Sequence, residues 1–176
     1  DRVDAANVVA PKLEDAVAQI AKRGGKTHTG VIAIQGVGRM QLMLDPQGAA
    51  FYIIEPASSE HRPEAAPEVG DASWHELMTT DQDAALKFYQ DVFHWQLDQT
   101  MDMGEIGKYL MFKRPTGHGM IGGIMNKPAE MANAPSNWQI YFRVPDVDAA
   151  AQRIKAAGGQ VINGPEVQRL EEEVAR

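Results

Sequence analysis

FRVPDVDAAAQRIKAAGGQ, residues 142–160, has a counterpart 134 positions earlier in VVAPKLEDAVAQIAKRGGK, residues 8–26. The two align without a gap, matching Pro11 with Pro145, Ala16 with Ala150, Ile20 with Ile154, and Gly24-Gly25 with Gly158-Gly159. Each copy reads as a short apolar strand, a proline that ends it, an acidic helix start, an alanine-rich amphipathic helix and a Gly-Gly stop. The repeating unit therefore begins β-turn-α.

Working outward from the first copy, residues 7–10 read as a strand, and Leu13, Val17, Ile20 and Ala21 fall at helical spacing. Residues 26–34, 39–44 and 49–54 follow as three strands, separated by Gly36-Val37-Gly38 and by Asp45-Pro46-Gln47-Gly48. Residues 1–56 thus form a complete β-α-β-β-β unit. Residues 57–71 are rich in proline and read as an extended linker; its His61 has the character of a solvated loop residue. The order then repeats over residues 72–126, with a strand at 74–78 and a helix cap at Thr79-Thr80-Asp81. An amphipathic helix over 83–93 comes next, then strands at 95–100, 108–113 and 120–125. A third unit opens with a strand at 138–144 and a helix at 147–157. It occupies residues 137–176 and lacks its last strands, because the next Asp-Pro-x-Gly turn would fall past the final residue. An open sheet edge is a template for pairing, so the expectation is either a fragment of a longer chain that carries the remaining strands or completion by a neighbour, as a homo-oligomer or a domain-swapped dimer. The repeat alone does not decide which units pair.

Composition narrows the function classes. A chain of 176 residues with 44% hydrophobic content buries a real core, and the formal net charge of −7 comes with no basic run. Neither nucleic acid nor an anionic membrane is the expected partner; a small molecule is. Cysteine is absent, which excludes disulfides, thiol catalysis and cysteine-bound metals. No segment is apolar for long enough to cross a bilayer, and the start lacks a signal-peptide layout. The expected compartment is the cytoplasm. Phosphate-loop, nucleophile-elbow and zinc-helix motifs are all missing from the sequence.

Four features occur in order: Asp45-Pro46-Gln47-Gly48 ahead of a strand; Thr79-Thr80-Asp81 through Ala85, Phe88 and Tyr89; Gly122-Gly123-Ile124-Met125; and Phe142-Arg143-Val144-Pro145-Asp146-Val147-Asp148-Ala149. Together they resemble the glyoxalase/bleomycin resistance/dioxygenase group, the vicinal oxygen chelate superfamily, and within it the tandem-domain glyoxalase-like proteins. The resemblance implies an α+β fold in which repeated β-α-β-β-β units form half-open curved mixed sheets with helices on the outside. It also implies that residues 137–176 pair with 72–126, and that paired units enclose a ligand cavity.

Enzymes of that group hold a divalent metal through His, Glu or Gln on inward strand positions, leaving room for neighbouring substrate oxygens. Carried across residue by residue, the first-strand position falls on Trp74, its counterpart in the third unit on Gln139, and the last-strand carboxylate position on Tyr52. Of these, Gln139 can coordinate through its amide oxygen; the family's metal set is mostly lost, and no metal is the leading expectation. A register shifted by one residue exchanges Trp74 for His75. The alternative is therefore one nickel, zinc, iron or manganese ion on His75 and Gln139, with Glu76 or His118 close by. The cavity residues expected to meet a ligand are Trp74, Glu76, Tyr52, Trp138, Gln139 and Tyr141. For the aromatics among them, core filling is the competing role. Five methionines, Met101, Met103, Met111, Met120 and Met125, suit either an adaptable pocket or ordinary packing. Three functions follow: a metal-free small-molecule binder, a metal-dependent lyase, isomerase or dioxygenase, and a module completed by a partner.

Overall fold

The computed structural model describes residues 7–9, 12–58, 66–116 and 119–162. The first unit runs β1 (Asn7–Val9), α1 (Leu13–Lys22), β2 (Lys26–Thr27), β3 (Ile32–Ile34), β4 (Gly38–Leu44) and β5 (Ala50–Pro56). Leu13 and Ile20 fix the inner side of α1 in the core. Gly25 ends the helix where a Cβ would collide with Ile20 and with the Leu44 carbonyl. The single strand expected over 26–34 is broken in two. His28 and Thr29 both donate their N–H groups to the Leu42 carbonyl, so two residues oppose one and the pairing is interrupted as at a bulge.

The second unit contains β6 (Ala72–Thr79), α2 (Gln82–Phe93), β7 (Gln96–Asp102), β8 (Lys108–Lys113) and β9 (Gly122–Asn126). Asp81 caps α2 by accepting from Ala84 N at 3.0 Å, and His94 closes it in the left-handed region at φ 60°. The third unit opens with β10 (Asn137–Phe142) and α3 (Val147–Ala156). Asp146 caps α3 through Ala149 N at 2.9 Å. The repeat holds in three dimensions, because α3 starts and ends 134 residues after α1.

Two mixed sheets result. In the first the order is β1-β5-β4-β2, with β3 also on β4; in the second it is β10-β6-β9-β8-β7. In each sheet the unit's opening strand runs parallel to its closing strand, β1 on β5 and β6 on β9. β10 adds antiparallel to β6, placing Gln139 opposite Glu76 and Tyr141 opposite Trp74. The third unit's strand thus extends the second unit's sheet. The strands and helices make the α+β architecture of half-open mixed sheets.

One hydrophobic cluster joins the units: Leu13, Ile20, Met43, Phe51 and Ile53 of the first with Leu77, Leu86, Phe88, Tyr89, Leu110, Phe112 and Ile124 of the second. Phe51 meets the rings of Phe88, Tyr89 and Phe93 edge-on, at centroid distances of 6.4, 5.7 and 5.9 Å. Polar groups tie the same junction. Trp138 Nε1 donates to Tyr89 OH at 3.1 Å, and Tyr89 OH donates to Asp45 Oδ2 at 3.0 Å. Asp45 Oδ1 accepts from the backbone of Gln47 and Ala49. This chain of bonds runs through all three units.

Candidate functional site

Strand side chains alternate between faces, and in the second sheet the two faces differ in kind. Leu77, Leu110, Phe112 and Ile124 pack with α2. The opposite, helix-free face carries Trp74, Glu76 and Met78 from β6, Tyr109 and Met111 from β8, Gly123 and Met125 from β9, and Gln139 and Tyr141 from β10.

Glu76 lies at the centre of that face and is 7% exposed. Its Oε2 accepts from Tyr109 OH at 2.9 Å, its Oε1 from Tyr141 OH at 3.0 Å, and Trp74 Nε1 donates to Tyr109 OH at 2.8 Å. One carboxylate is thereby held from two sides by phenols, with an indole behind one of them. Burial, followed by the adjacent Glu76, pushes the Tyr141 phenol up to about 12. Tyr109 is pushed up further, again chiefly by burial, so both phenols stay protonated as donors. Gly123 is part of the arrangement: a Cβ there would stand inside the Tyr109 ring, so only glycine lets that ring lie across β9 to reach Glu76.

The expected ligand-contacting residues divide. Trp74, Glu76, Gln139 and Tyr141 come together on the helix-free face. Trp138 lies on the other face, its ring edge-on to Tyr89, Trp95 and Phe112. Tyr52 belongs to the first sheet, on the side opposite Phe51, and Phe51 is the residue that meets the second unit. Trp138 and Tyr52 therefore do not join Trp74. His75 and Gln139 are not brought together either. Gln139 pairs in register with Glu76, whereas His75 pairs with Ile140, which puts the imidazole on the helix side. There Nδ1 lies 3.1 Å from the Ile121 carbonyl. His118 and His61 lie outside the described residues. Of the methionines, Met111 and Met125 are buried on the site face, while Met120 is exposed.

A divalent ion takes three or more protein donors converging on one point. Among the described residues no group of three His, Cys, Asp or Glu side chains is so placed. Glu76 has both oxygens engaged by phenols, and Gln139 directs its amide nitrogen toward Met78 Sδ at 3.7 Å. The donor set on this face does not fit a metal. What it offers instead is a carboxylate with spare lone pairs, framed by aromatic rings and thioethers.

Tyr109 was not singled out in the sequence, and Gly123 was noted only as part of the run Gly122-Gly123-Ile124-Met125. The alternation of Tyr109 and Met111 with Leu110 and Phe112 marks which side of β8 differs from the core, but the pairing of β8 with β9 is needed to bring Tyr109 over Gly123.

Among the described residues no helix is long and apolar enough to cross a membrane. "Putative glyoxylase CFP32" of Mycobacterium tuberculosis is 33% identical over 153 residues, covering 87% of this chain and 56% of that protein. The anthracycline biosynthesis protein DauV of Streptomyces sp. (strain C5) is 29% identical over 150 residues, covering 84% of the chain and 51% of DauV. Among solved structures, the Mn(II)-bound glyoxalase from Novosphingobium aromaticivorans superposes with a TM-score of 0.55 at 20% identity, covering 83% of this chain and 48% of that one. The chain spans about half the length of each of these proteins. The sequence profile of the Glyoxalase/Bleomycin resistance protein/Dioxygenase superfamily matches residues 72–171, which include the whole helix-free face. The chain belongs to that superfamily.

Proposed function

We propose that this protein is a glyoxalase-like binder of a small organic molecule, taken up on the helix-free face of the second sheet without a metal ion. The observation that carries this reading is the Glu76 carboxylate, buried and held at both oxygens by Tyr109 and Tyr141. Trp74 stands where the family resemblance would put a metal donor, and the surrounding rings and methionines suit an apolar body with few polar anchors. The name of the DauV relative, which refers to anthracycline biosynthesis, agrees with an aromatic ligand. The cytoplasm is the proposed compartment.

A second reading, a divalent-metal-dependent glyoxalase, lyase or dioxygenase, draws on the registered pair Glu76 and Gln139 and on the Mn(II)-bound structural relative. Elemental mass spectrometry separates the two, applied to protein purified without chelator and again after supplementation with nickel, zinc, iron and manganese. The first reading expects far less than one ion per chain in both samples. About one equivalent supports the second and moves Gln139 into a coordination shell.

The proposed partners are a small-molecule ligand and a further copy of the chain, as a homo-oligomer or domain-swapped dimer. The latter rests on the exposed side chains of Ile140, Phe142 and Val144 along and just after β10. Light scattering of the purified chain tests it: a monomeric mass at every concentration removes that partner.

A further inference from the structure

The charge on the helix-free face is one-sided. Glu76 is nine-tenths buried, and its two hydrogen bonds come from neutral phenols. Among the described residues no lysine, arginine or histidine bonds to it. His75 lies on the other face. Lys113, on the same alternation of β8 as Tyr109 and Met111, is paired with Asp98 at 2.6 Å. Arg143, beyond the end of β10, donates to the Pro67 carbonyl at 2.8 Å.

A buried carboxylate is costly unless a counter-charge balances it. The phenols satisfy lone pairs but bring no positive charge. Around the carboxylate stand Tyr109 on one side, Tyr141 on the other, and Trp74 beside both, opposite Tyr141 in the strand pairing and bonded to Tyr109. Ring faces attract cations, most strongly when both are shielded from water. Carboxylate and rings therefore favour the same kind of ligand group.

Building on the reading of this face as a ligand site, we infer that its ligand is an organic cation: an ammonium group on a compact apolar body. Glu76 supplies the counter-charge, and Trp74, Tyr109 and Tyr141 supply the walls. Gln139, opposite Glu76 in the pairing, has an amide oxygen that accepts a further N–H from the same group.

The test is calorimetric titration of the full chain with three probes of similar size: phenethylamine, 2-phenylethanol and 3-phenylpropionate. The amine is expected to bind about tenfold tighter than the alcohol, the propionate weakest, and the amine's advantage to shrink as salt is raised. Glu76→Gln keeps the shape and the acceptor oxygen, and should bring amine and alcohol to equal affinity. Asp81→Ala, which weakens the cap of α2 and leaves this face untouched, should retain the preference; it controls for general loss of stability. Equal binding of the three probes to the parent chain, or a preference for the propionate, overturns the cationic ligand while leaving a ligand face in place. A preference for the amine that survives Glu76→Gln also overturns it. If no probe binds, and a broad library of neutral and charged aromatics does not bind either, the ligand face itself is refuted and this inference falls with it.

Discussion

The Tyr109 ring lies across Gly123, occupying the space a Cβ would take, and from there its hydroxyl reaches Glu76 Oε2 at 2.9 Å. The smallest residue of β9 thus sets the position of a side chain on β8 and, through it, the environment of a carboxylate on β6. Gly123→Ala should force the ring aside and destabilise the fold by about 1–3 kcal/mol, the usual cost of overpacking. Thermal unfolding reads the loss. Near-ultraviolet circular dichroism should change with it, because Tyr109 no longer bonds Trp74.

The phenols on Glu76 predict an alkaline signature. The Tyr141 phenol is pushed up to about 12 from its ordinary 10.0, so between those values the folded chain binds more protons than the unfolded one. The stability this contributes is complete below the window and is lost as pH rises through it. Absorbance at 295 nm should show one fewer phenol ionising in that window in Tyr141→Phe. Glu76→Gln removes the adjacent charge and should move the Tyr141 ionisation down.

Tyr89 and Asp45 join the first two units, and Trp138 ties the third to them. Tyr89→Phe keeps the stacked ring while leaving the Trp138 indole and Asp45 Oδ2 without that partner, and should destabilise by about 1–3 kcal/mol. Denaturant unfolding measures it.

Burial raises the Asp45 carboxyl above its ordinary value, although the bonds from Ala49, Tyr89 and Gln47 pull the other way. Because the folded value is raised, this group's contribution to stability is present below the ordinary carboxylate value and is lost as pH rises through the folded one. Asp45→Asn should flatten that part of the stability profile in a mildly acidic denaturant series.

The start of helix α2 is capped by Asp81, which accepts from Ala84 N, and by Asn126 Oδ1, which accepts from Gln82 N. Asp81→Ala should cost about 1 kcal/mol, seen as a lower denaturant midpoint with an unchanged slope.

Much of the architecture was legible because its signals are local. The Gly-Gly stops, the acidic caps Asp81 and Asp146, and the i, i+3, i+4 apolar spacing act within one turn of chain, and the 134-residue offset reproduces both ends of α1 in α3. The break between β2 and β3 was not legible, because it is made by Leu42 on another strand. The site was half legible for the same reason. Trp74 and Trp138 look alike in sequence, each on an apolar strand, and only the register of β6 with β10 sends one to the helix-free face and the other into the core. That register also separates His75 from Gln139. Tyr109 acquires its role from a neighbour two strands away, which no spacing rule reports.

The three tryptophans make a direct test of the central claim, that ligands bind on the helix-free face. Trp74 sits on that face, while Trp95 and Trp138 lie on the core side. In a nitrogen-15 correlation spectrum, with the Trp74 indole signal assigned by Trp74→Phe, a bound aromatic ligand should shift that indole and the Gln139 side-chain amide. The indoles of Trp95 and Trp138 should stay in place. Ligand-induced shifts confined to Trp95 and Trp138, or a Trp74 indole that no small molecule moves, would contradict the account.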